Sequence, residues 1–135
     1  MTGVDDRLDV RVTADAGCLG HMRAAVVGFA QERGWDDTSR VALAVSEAMT
    51  NVVLHAYLES PEPGDMRVVA CDKPDRLVVV VRDYGDGMRP RTDSPGLGMG
   101  LPLITQMTDD LQIEAAQEKG TLLRMHFMKP LAAAA

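Results

Sequence analysis

Long apolar runs are missing from this 135-residue chain, so no helical membrane span is expected. Cysteine is scarce. Cys18 and Cys71 stand alone without a C-x-x-C spacing, which favours two buried thiols over a disulfide or a metal site. Basic runs are missing too: 20 acidic residues outnumber 14 basic ones, for a formal charge of −6. Arg89 and Arg91 form the densest basic stretch. Direct nucleic-acid binding needs a basic face, so that class is not expected. The opening MTGVDDRLDV lacks a basic start followed by an apolar stretch, so no secretory signal is read and the cytoplasm is the expected location.

What is present fits one globular domain over residues 1–135, with its core at about 8–128. A content of 46% hydrophobic and 25% charged residues suits neither a membrane protein nor a disordered chain. Residues 8–12 (LDVRV) alternate like a strand. Asp15 is a cap candidate for a helix over about 19–33, with Met22, Val26, Val27 and Phe29 near one face and Gly34 as its stop. Asp36, Asp37 and Thr38 are cap candidates for a second helix reaching Tyr57 or Leu58. A turn at 60–65 leads to strands at 67–71 and 77–82, joined as a hairpin. A short helix starting near Leu97 or Gly98 and ending before Asp109 precedes strands at 111–115 and 122–127. Paired strands without strict helix alternation predict an α+β fold: a two-layer sandwich with a mixed, mostly antiparallel sheet, covered on one face by helices.

Three pieces of sequence carry chemistry. In the second helix, Val41, Val45, Ala48, Met49, Val52 and Ala56 share one face, while Glu47, Asn51 and His55 form a stripe at i, i+4 and i+8. The plainer alternative is a solvated polar face, but a short Asn between Leu43 and Leu54 suits a surface poorly. Asn offers a neutral oxygen for Mg²⁺, and Glu can serve as a general base, provided a phosphate lies over the stripe. The second piece, Asp83-Tyr84-Gly85-Asp86-Gly87, closes an apolar strand. A carboxylate there can accept from an exocyclic amine such as adenine's, and Gly85 and Gly87 permit close approach; a simple Asp-Gly turn is the competing reading. Third, Gly96-Leu97-Gly98-Met99-Gly100-Leu101 enters a helix whose first amides would face an anion. Its spacing and the lack of a strand just before it argue against a Rossmann unit. Residues 88–95 between these glycine clusters read as a lid, mobile alone and ordered by nucleotide.

Glu-x-x-x-Asn on a helix, DxGxG after a strand, GxGxG before a helix and Gly120-Thr121 opening the last strand, in that order, resemble the ATPase fold of gyrase, histidine kinases and mismatch-repair ATPases (the Bergerat type). The compact VSEAMTNVVLHAY form with a short lid is most similar to the bacterial anti-sigma-factor serine/threonine kinases. The resemblance covers about residues 9–127. It implies ATP and Mg²⁺ as cofactors, Glu47 as catalytic base, Asn51 as the Mg²⁺ ligand, Asp83 as adenine anchor and Thr121 as its support. It further implies that His55 forms pocket wall, and that Gly85, Gly87, Gly96, Gly98 and Gly100, with Leu97, Met99 and Leu101 between and after them, shape the pocket and lid. The implied partners are a sigma factor and a small antagonist protein, with a homodimer as a further option. No helix carrying a phosphoacceptor His precedes the domain, so a complete sensor kinase is not expected; His21 and His126 read as packing or surface residues. Two rival functions stay open: a non-catalytic, nucleotide-dependent binding module, and a detached histidine-kinase catalytic domain.

Overall fold

The computed structural model describes residues 7–85 and 101–130. The strands are β1 (Arg7–Thr13), β2 (Asp65–Asp72), β3 (Arg76–Asp83), β4 (Asp110–Ala115) and β5 (Thr121–Met128), and the helices are α1 (Leu19–Glu32), α2 (Ser39–Asn51) and α3 (Leu101–Met107). The five strands form one sheet in the order β1-β2-β3-β5-β4. Every pair among the described strands is antiparallel, so the sheet is not mixed. The expected α+β sandwich is present.

Alternation along the strands sends one set of side chains into the core. On β2 this set is Met66, Val68 and Ala70; on β3, Leu77, Val79 and Val81; on β5, Leu123, Met125 and Phe127. Helix α2 answers with Val41, Val45, Ala48 and Met49, all nearly or fully buried, and the run continues through Val52 and Ala56. Each of these larger side chains stabilises the fold by about 1.5–3 kcal/mol. That makes α2 the helix that fixes the site's position against β3. On α1, Met22, Val26 and Phe29 are buried as expected and Val27 only partly.

Local signals differed from expectation at several helix ends. Asp15 starts a 3-10 turn (Ala16–Cys18) ahead of α1, and its side chain makes no capping bond. At α2 the cap is shared: Thr38 occupies the position without a side-chain bond, while the Asp37 carboxylate accepts from the Ser39 N–H at 2.9 Å. Gly34, at φ 92°, ends α1 as predicted. The expected helix to Tyr57 does not continue as an α-helix: α2 stops at Asn51 and Val52–Ala56 form one π turn. Val52 and Ala56 still reach the core while Leu54 is exposed, and the turn is wider than an α turn. The start near Leu97 lies outside the described residues, and α3 is observed from Leu101. Cys18 and Cys71 are free thiols, half-buried rather than buried.

Candidate functional site

The π turn that follows Asn51 meets the loop that follows Asp83, where the Tyr84 N–H donates to the Tyr57 hydroxyl and Gly85 lies against the Ala56 carbonyl. Asn51 is 3% exposed, which removes the solvated-face reading of its stripe; Glu47 and His55 are half-buried, and Leu43 and Leu54 are exposed beside them. Helix α2 packs on β3, and the π turn packs on β3 as well. The π turn therefore joins the Asn51 end of the helix to the Asp83 end of the strand. Single π turns of this kind recur at functional sites.

Asp83 is the last residue of β3 and is 0% exposed. Its Oδ1 accepts from the Gly85 N–H at 3.0 Å. Its Oδ2 is buried and has no hydrogen-bond partner among the described residues. Burial pushes the Asp83 carboxyl above its ordinary value, opposed by the N–H groups of Gly85 and Thr121 and by the charge of Arg82. A buried carboxylate oxygen without a donor is costly, and it suits a ligand that brings an N–H. Thr121, 8% exposed, opens β5 beside it.

Two glycines make this corner possible. A Cβ on Gly85 would lie 2.1 Å from the Ala56 carbonyl oxygen, so loop and π turn can touch only because Gly85 has none. Gly120, at φ 102°, lies against the Asp83 backbone, where a Cβ would come within 1.9 Å of its carbonyl oxygen. That φ strongly favours glycine, and the Gly120-Thr121 pair holds the end of β5 against Asp83.

Tyr57 was missed by sequence reasoning. Its hydroxyl donates to the Asp65 carbonyl at 2.5 Å and accepts from the Tyr84 N–H at 2.8 Å. One side chain thus ties the π turn, the start of β2 and the loop after Asp83 together. Its partners are 8 and 27 residues away in sequence, so no local pattern marks it. Tyr57→Phe removes both bonds and leaves two backbone groups unpaired, an expected loss of about 1–3 kcal/mol in denaturant unfolding. An unchanged midpoint would show that the tie is not structural.

Leu101, the first residue of α3, is half-buried and packs against the core. Gly87, Gly96, Leu97, Gly98, Met99 and Gly100, together with the lid at 88–95, lie outside the described residues. His21 is exposed. His126 is half-buried on β5 with its Nδ1 3.3 Å from Arg76, consistent with a packing or surface role. A groove of about 510 Å³ lined by Arg33, Trp35, Arg40 and Lys129 sits at the other end of α2 and includes none of Glu47, Asn51, His55, Asp83 or Thr121. No cluster of three or more His, Cys, Asp or Glu able to hold a metal occurs among the described residues. No helix among them is long and apolar enough to cross a membrane.

A two-layer sandwich with a buried carboxylate at a strand end and a Glu/Asn pair on the facing helix defines a class of nucleotide-binding domain. The model of the histidine kinase-like ATPase domain matches residues 12–127, and the chain belongs to that family. Within it the chain is similar to the serine-protein kinase RsbW of Bacillus cereus strain AH187, 31% identical over 125 residues, 80% of this chain and 77% of the relative. RsbW of Bacillus mycoides strain KBAB4 matches at the same identity and coverage. RsbW of Bacillus thuringiensis strain Al Hakam is 30% identical over the same shares.

Proposed function

We propose that this protein is an ATP-dependent protein serine/threonine kinase that acts as an anti-sigma factor, binding a sigma factor and phosphorylating a small antagonist protein on Ser or Thr. The observation that carries the nucleotide part is the buried Oδ2 of Asp83, which has no hydrogen-bond partner among the described residues. In this reading it accepts the exocyclic amine of adenine, with Thr121 supporting that end. Asn51 would hold Mg²⁺ through its amide oxygen; a single protein ligand is enough for an ion that keeps waters and phosphates around it. Glu47, one turn earlier and half-buried, is the general base that takes the proton from the attacking hydroxyl, and His55 lines the pocket. Support for the kinase part comes from the relatives' name, serine-protein kinase, and from Glu47, which a pure binder does not need.

The test is incubation with γ-labelled ATP, Mg²⁺ and purified candidate antagonist domains. Label on Ser or Thr, absent with Glu47→Ala, supports the reading. Acid-labile label on a His would move the assignment to a detached histidine-kinase catalytic domain. Tight ATP binding without transfer to any candidate would favour a non-catalytic binding module.

A further inference from the structure

Tyr57 grips the backbone immediately after Asp83. Its hydroxyl accepts from the Tyr84 N–H at 2.8 Å while donating to the Asp65 carbonyl at 2.5 Å. The peptide unit that carries the Tyr84 N–H begins with the Asp83 carbonyl. The next N–H along the chain, that of Gly85, donates to Asp83 Oδ1 at 3.0 Å and closes a small side-chain-to-backbone ring. Tyr84 is the residue that this ring spans. Holding its amide therefore holds both ends of the ring that orients the carboxylate.

Packing leaves the Tyr57 ring little freedom. A Cβ on Gly64 would overlap it, and one on Gly85 would press on its Cε1 at 3.1 Å, so two glycines make its room. Gly120 closes against the Asp83 carbonyl from the other side. Burial pushes the Tyr57 phenol above its ordinary value, with the Tyr84 N–H opposing and the Asp83 charge adding. The hydroxyl thus keeps its proton at neutral pH and remains a donor to Asp65. A buried acceptor selects its partner only while its position is held to about 0.5 Å, and Tyr57 supplies that restraint through the backbone. We propose that Tyr57 is a positioning residue for base recognition: by fixing the Tyr84 amide it sets the Asp83 carboxylate at the angle that favours an adenine over a guanine nucleotide. This role rests on the reading of Asp83 as the adenine acceptor.

The test is calorimetric titration of Mg-ATP and Mg-GTP into the wild-type chain, Tyr57→Phe, Asp83→Asn and the double variant, at a temperature where circular dichroism shows each folded. Tyr57→Phe is expected to weaken ATP about tenfold and GTP less than about twofold, so the preference for ATP nearly vanishes. In the Asp83→Asn background the same change should cost less than about twofold, because residues acting through one another are not additive. A residue that only supports the fold would weaken both nucleotides alike. Val26→Ala, a cavity in the core under α1, gives that comparison and should keep the ATP:GTP ratio. Gly64→Ala leaves the hydroxyl in place but displaces the ring, and should lower the ratio as Tyr57→Phe does. An unchanged ratio in Tyr57→Phe, or in Gly64→Ala where Tyr57→Phe does not fold, would overturn the positioning role. So would an equal loss in both Asp83 backgrounds; Asp83 would remain the acceptor in either case. Parental affinity and ratio in Asp83→Asn would instead remove the reading of Asp83, and the role of Tyr57 with it.

Discussion

Asp83→Asn is expected to weaken Mg-ATP binding by at least about 30-fold, roughly 2 kcal/mol, with the fold intact by circular dichroism. The wild-type carboxylate only accepts, and its Oδ2 is buried without a donor among the described residues. An Asn that keeps its oxygen toward the Gly85 N–H turns its NH₂ to the ligand, so donor meets donor where adenine presents its amine. The same residue sets a pH signature. Because burial raises its folded pKa, the folded chain holds the proton more tightly than the unfolded chain does. Its contribution to stability is therefore greatest below the ordinary carboxylate range and is lost as pH climbs through the raised pKa. ATP affinity runs the other way. It relies on the ionised carboxylate and should fall as pH drops through the same window, and Asp83→Asn should flatten that dependence. Affinity that ignores both the substitution and pH would remove Asp83 from the site.

The second large effect separates chemistry from binding. Glu47→Ala should slow phosphate transfer about 10²–10⁴-fold, the usual contribution of a positioned base, while ATP affinity changes by less than about threefold. Asn51→Ala should impair both, because a metal ligand serves ground state and transition state alike. Transfer at the parental rate by Glu47→Ala would refute the base assignment; equal behaviour of the two variants would refute the division of roles.

The sequence was most informative where a period was long and clean. Val41, Val45, Ala48, Met49, Val52 and Ala56 announced a buried face, and all six are buried. The short arm of Asn51 among apolar neighbours hinted at burial, and its near-complete enclosure agrees. The π turn was not legible, since Val52–Ala56 carry the same apolar pattern that an α-helix would. The wider turn packs against the Tyr84-Gly85 corner, which is distant in sequence. Asp15 looked like a cap because caps are chosen by residue type, yet a 3-10 turn intervenes and its side chain goes unused.

In the proposed function the buried Asp83 carboxylate reads adenine, so the deciding measurement is titration calorimetry of the wild-type chain with Mg-ATP and with Mg-GTP. Guanine presents a carbonyl where adenine presents its amine, and two acceptors then face each other in a buried site. The account predicts that ATP binds at least about tenfold more tightly than GTP. Equal affinities, or a preference for GTP, would contradict it.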